Sequence, residues 1–162
     1  MVKIGFYLKA ECENLIELEP SEASIYIWNF KFKCNRCHET TDKFVGVDPQ
    51  LVSEKSGSKG EANLIMKCKF CSREGSVSLI GPVTAFSPTA KNDGYQLMVT
   101  LDCQNWEPVD FDPQGEWVGK SEDESTKFED IELGEDEWMD VDNNDVPATV
   151  GNLSYRFLKI TK

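Results

Sequence analysis

Apolar positions along this chain recur at every second residue rather than every third or fourth. Val2, Ile4, Phe6 and Leu8 alternate; Tyr26, Trp28, Phe30 and Phe32 alternate and run directly into Cys34; Tyr95, Leu97, Val99, Leu101 and Cys103 alternate; Leu153, Tyr155 and Phe157 do the same. A period of two with aromatic and β-branched enrichment predicts half-buried strands. Shorter strands are expected at Phe44 to Val47, Asn63 to Lys67, Ser76 to Ile80, Lys127 to Leu133 and Glu137 to Val141. No segment carries a helical apolar stripe over three turns.

Breakers separate these runs: Asp48-Pro49, the stretch Ser53 to Gly60, Gly81-Pro82, Ser87-Pro88, Asn92-Asp93-Gly94, Asp112-Pro113 and Gly134. Asn92-Asp93-Gly94 predicts a tight turn feeding the strand after it. Many short strands at close spacing indicate an all-β sandwich or barrel-like fold. An aromatic strand ending in a cysteine occurs twice, at Ser24 to Cys34 and Gly94 to Cys103, with Val47-Asp48-Pro49 after one and Phe111-Asp112-Pro113 after the other. The expectation is a single compact unit, 1–162, of two similar β halves, 1–90 and 91–162.

Composition adds a class and a compartment. With 40% hydrophobic and 28% charged residues in 162, the chain is long enough to bury a core without crosslinks. The start MVKIGFYLKAECENL lacks a secretory signal, and no eighteen apolar residues run together, so a cytoplasmic protein without a membrane span is expected. In that compartment six cysteines are read as metal ligands, redox groups or buried thiols rather than disulfides.

Charge is concentrated in one place. Residues 1–101 hold twelve acidic against twelve basic residues, 102–145 seventeen against two, and 146–162 none against three, for a net charge of −12. Such a balance disfavours nucleic acid and anionic membranes as partners of the whole molecule. From Ser121 the chain reads SEDESTKFEDIELGEDEWMDVDNND, with Phe128, Ile131, Leu133, Trp138, Met139 and Val141 set among the acids. Those apolar residues are expected to dock the segment on the body while its charges face water or a basic protein partner.

The chemistry lies in KCNRCH and KCKFCS. Cys34 and Cys37 are followed, thirty residues on, by Cys68 and Cys71, so two C-x-x-C turns can each present two thiolates to one ion. The spacer exceeds the about 15–20 residues of a compact zinc ribbon, but it accommodates a strand on each side of a Ser/Gly/Lys loop. Lys31, Lys33, Arg36, Lys67, Lys69 and Arg73 flank the pairs and favour the thiolate form. They also leave open a nucleic-acid role for this region.

Other chemistries fit less of the sequence. Haem attachment through C-x-x-C-H leaves the second pair unexplained. A thioredoxin-like dithiol needs a helix after its first cysteine, and HETTDKF offers none. Catalytic zinc needs an open coordination position, and the chain has one histidine, His38, next to a cysteine with which it would share the ion awkwardly. A closed, structural zinc site and no enzymatic activity are therefore expected, with a thiol or metal-transfer protein as the alternative. Cys103 is read as a core thiol, with a second metal site or a redox pairing with Cys12 as its alternative.

The order of segments, an aromatic strand into KCNRCHE, KCKFCSREGSV, LDCQNWEPVDF and FEDIELGEDEWMDVD, resembles the eukaryotic CXXC-motif-containing zinc-binding proteins from the first strand to LSYRFLKI. That resemblance implies an all-β fold of two similar halves and one zinc ion held by Cys34, Cys37, Cys68 and Cys71. It brings no established reaction.

Overall fold

The computed structural model describes residues 2–55, 60–88, 94–134 and 137–160, and these contain fourteen strands and no α-helix. The fold is all-β, as the alternating pattern predicts. Six antiparallel strands form the main sheet in the order β13 (Glu137–Val141), β14 (Pro147–Lys159), β1 (Val2–Glu13), β9 (Gln96–Gln104), β8 (Glu74–Ile80) and β7 (Leu64–Lys67). This sheet curls into a half-barrel. A second sheet takes the order β10 (Trp106–Asp112), β3 (Trp28–Cys34), β4 (Val45–Val47), and a third the order β12 (Lys127–Ile131), β11 (Trp117–Lys120), β2 (Ile16–Pro20). A short hairpin pairs β5 (Ser53–Glu54) with β6 (Glu61–Ala62).

The core forms where the first two sheets face each other. In β3 every second side chain, Trp28, Phe30, Phe32 and Cys34, is buried, while Asn29, Lys31 and Lys33 lie half-exposed. Phe6 of β1 meets this face, with ring centroids 5.8 Å from Trp28, 5.5 Å from Phe30 and 4.5 Å from Phe111. The rings meet edge-on or tilted, the arrangements their quadrupoles favour. Trp28 also contacts Trp117, which is fully buried and ties the third sheet to the same core.

Strands from both sides of residue 90 share the main sheet: β1, β7 and β8 precede it, while β9, β13 and β14 follow it. The longest pairing joins the two ends of the chain, from Ile4 opposite Lys159 to Glu13 opposite Thr149.

Three departures from the sequence pattern have physical causes. Phe6 pairs with Val99 but Tyr7 with Leu97, so Met98 is an extra residue in β9. This bulge reverses the faces. Met98 enters the core, and Tyr95 turns outward beneath the guanidinium of Arg156, 4.2 Å from its ring centroid. Strand β10 carries Pro108 in its interior and accommodates it at the edge of its sheet, with a register shift beside it. Met139 and Val141, expected to anchor the acidic segment, are 64% and 52% exposed, whereas Phe128, Ile131 and Leu133 are buried. As an edge strand, β13 turns one face to solvent. Of the tight turn expected at Asn92-Asp93-Gly94, the first two residues lie outside the described ones, as do 56–59 of the loop between the cysteine pairs.

Candidate metal centre

Two knuckles of the same construction carry the cysteine pairs. Strand β3 delivers Cys34 at its buried end, and the chain then turns back. The His38 N–H donates to the Cys34 carbonyl at 2.8 Å, and the Cys34 N–H donates to the Glu39 carbonyl at 2.8 Å. Just beyond β7 the pattern repeats: the Ser72 N–H donates to the Cys68 carbonyl at 2.8 Å and the Cys68 N–H to the Arg73 carbonyl at 2.9 Å. The residue after each second cysteine adopts left-handed backbone, His38 at φ 65° and Ser72 at φ 63°. Position 38 therefore has a conformational role. Its side chain is exposed and lies outside the cysteine cluster.

The knuckles bring all four predicted sulfurs together, every pair within 4.8 Å. The Cys34 and Cys71 sulfurs stand 3.7 Å apart and those of Cys37 and Cys68 3.5 Å apart. All six cysteines are free thiols. Metal–sulfur bonds of about 2.3 Å directed to the corners of a tetrahedron put neighbouring sulfurs about 3.8 Å apart, so the donor set fits a zinc ion.

Electrostatics within the cluster point the same way. Burial pushes the Cys34 thiol up, but the Cys37 N–H, the Asn105 amide, the Arg36 N–H and the Cys71 thiol outweigh it and bring Cys34 down to about 6. At Cys37 the Glu39 N–H pulls down, but burial and the crowding of the other three sulfurs push the thiol up to about 12. Cys68 is lowered, chiefly by the Cys71 N–H, against burial. Sulfurs this close cannot all ionise unless a cation neutralises them. Cys34 and Cys68 are buried, at 0% and 4% exposure, and Cys37 and Cys71 are half-buried. With four sulfurs around one point, the arrangement can crosslink two knuckles through a metal, and among the described residues no other Cys, His, Asp or Glu joins the cluster.

A third segment reaches the centre. Asn105 occupies the turn between β9 and β10 at φ 68°; its side-chain amide donates to the Cys34 sulfur at 3.4 Å, and its carbonyl accepts the Asn35 N–H at 2.8 Å. Trp106, the next residue, donates its indole N–H to the Met66 carbonyl at 3.1 Å, beside the second knuckle. The pattern of cysteines alone does not reveal this contact. A polar residue ending an alternating strand marks a turn, but nothing in LDCQNW shows which distant segment that turn touches.

Cys12 and Cys103 lie outside the cluster. Burial, reinforced by the Asp102 and Glu107 charges, pushes Cys103 up to about 12, and burial pushes Cys12 up to about 11, so both are neutral thiols. Val2 lies opposite Cys103, and Cys12 sits at the far end of the same strand, roughly 30 Å away at the rise of an extended chain. They do not pair with each other.

Beside the second knuckle opens a cleft of about 370 Å³ whose lining includes Val45, Met66, Phe70 and Trp106, with Lys43, Lys67 and Lys69 at the same opening. Among the described residues no helix is long and apolar enough to cross a membrane.

Comparison with known proteins agrees with this centre. Residues 5–158 match the family model described as CXXC motif containing zinc binding protein, eukaryotic. A human protein of that name is 32% identical over 161 residues, covering 98% of this chain and 99% of its own. The crystal structure of C1orf123 superposes with a TM-score of 0.86 at 30% identity, covering 98% of this chain and 99% of that one. A hypothetical protein from Plasmodium falciparum has the same fold, with a TM-score of 0.80 at 19% identity over 98% of this chain and all of its own. Its two knuckles and its match along nearly the whole chain make this protein a member of the eukaryotic family of CXXC motif containing zinc binding proteins.

Proposed function

We propose that the protein is a non-enzymatic zinc protein in which Cys34, Cys37, Cys68 and Cys71 hold one structural zinc ion and the acidic face of residues 121–145 docks a basic protein partner. The observation that carries the metal half is the convergence of two matched knuckles on four sulfurs within 4.8 Å of one another. What supports the partner half is composition at the surface. Glu137 and Asp140 are exposed beside the exposed Met139 and Val141 of β13, and Glu129, Asp130 and Glu132 of the same acidic stretch are exposed as well, so negative charge accompanies apolar side chains at the surface. An apolar centre within a polar rim is how docking surfaces are built.

Metal analysis of purified protein tests the metal half. About one zinc per chain is expected, falling to background in Cys34→Ser combined with Cys68→Ser, and chelation should lower the melting temperature. Clearly less than one zinc in the wild type would overturn it. Rapid alkylation of Cys34 or Cys68 in the zinc-loaded protein would favour metal transfer instead, against their burial. For the partner half, proximity labelling in cells compares wild type with a chain whose acidic residues in 121–140 are neutralised. Loss of a labelled set rich in basic proteins is expected. An unchanged set overturns the docking role.

A further inference from the structure

The Gln104-Asn105-Trp106 turn stands against both knuckles, although it follows the second cysteine pair by more than thirty residues. Asn105 binds the first knuckle twice, by its side chain to the Cys34 sulfur at 3.4 Å and by its carbonyl to the Asn35 N–H at 2.8 Å. Trp106 pairs with Cys34 across β10 and β3 and donates to Met66 beside the second knuckle. The fit extends to Gly75 of β8. A side chain placed there would come within 2.7 Å of the Trp106 ring nitrogen and closer still to the Gln104 carbonyl.

We propose that Asn105 is a positioning residue of the metal centre, whose amide N–H anchors Cys34 as the least exchangeable of the four ligands. This rests on the zinc reading above. Four thiolates and a dication leave a formal charge of about −2 on the site, and an N–H donor to sulfur spreads part of that charge. An ionised sulfur accepts and does not donate, so only the amide nitrogen can face it favourably. The backbone also suits an amide here. Asn tolerates left-handed φ better than most residues, which lets the side chain turn back toward β3. Cys34 thus combines full burial with an outer donor, whereas Cys37 and Cys71 are half-exposed. Exchange of the metal proceeds from the Cys37 and Cys71 side.

The test uses the zinc-loaded chain of residues 1–162 and two variants. Asn105→Gly removes the amide while keeping the left-handed backbone without strain. Asn105→Asp keeps the shape and replaces the donor by a carboxylate. Zinc transfer to an excess of a chromogenic chelator is expected to be about tenfold faster in Asn105→Gly, in line with loss of an outer-sphere partner, and faster again in Asn105→Asp. Cys34 should rise in the order of alkylation read by mass spectrometry. The melting temperature of the metal-depleted Asn105→Gly chain should match that of the metal-depleted wild type. Release at the wild-type rate in both variants overturns the proposal, as does faster release accompanied by an equal loss of metal-free stability. If Asn105→Gly fails to fold, Asn105→Asp carries the same readouts. Failure of the wild type to hold zinc at all would instead sink the metal assignment, a distinguishable result.

Discussion

Single residues in this protein act through the hydrogen bonds they collect, and Asp123 is the clearest titratable case outside the centre. Its carboxylate accepts from the Ser121 hydroxyl, the Ser125 N–H and the Ser125 hydroxyl, and its second oxygen accepts from the Asn144 amide. These donors, the Ser121 hydroxyl foremost, hold its pKa down to about 2 from an ordinary 3.8. A carboxyl with a depressed value in the fold contributes stability above its unfolded value and loses it as pH falls toward the folded one. Thermal melting in steps from pH 4 down to pH 2 should therefore show the wild type losing stability that Asp123→Ala never had. The two curves are expected to converge at the acid end. Parallel curves would show that the loop is held by other means.

Among the elements, β8 packs closely at Gly75 against the β9–β10 turn beside the centre. Gly75→Ala would force its new methyl against Trp106 and the Gln104 carbonyl, so the turn must move away from both knuckles. Overpacking of this kind costs about 1–3 kcal/mol, and here weaker zinc retention should accompany it. Denaturant unfolding and a zinc assay check the two effects together. At this scale the limits of the sequence are also clearest. The strands through Trp28 to Cys34 and through Val2 to Leu8 were legible because each buries one face against aromatic partners, and the four cysteines because their spacing is chemical. Strands β2, β10 and β11 were not: β2 and β11 are only five and four residues long, and β10 is interrupted by Pro108. The outward turn of Tyr95 depends on Met98, an extra residue that alters the register without altering the alphabet of the strand. Asn105 was invisible for a related reason, since its contact with Cys34 exists only once β10 has paired with β3.

In the whole molecule, the acidic residues and the cysteine pairs separate along the chain but not in the sheets. Because β9 and β14 both pair with β1, the zinc-bearing part has no complete main sheet of its own. A chain ending at residue 146, which lacks β14 entirely, removes one neighbour of β1 and, among the described residues, the only strand paired with β13. Such a chain should show no cooperative melting, zinc present or absent; a sharp transition would mean that the remaining sheets stand alone. The pairing of Ile4 with Lys159 carries a further consequence for how the protein is made. On the ribosome β1 emerges long before β14, so until residues 147–159 have been made one edge of β1 stands open to the cell. Completion of this sheet thus waits on residues 147–159, and a nascent chain stalled before them is the form most in need of a chaperone.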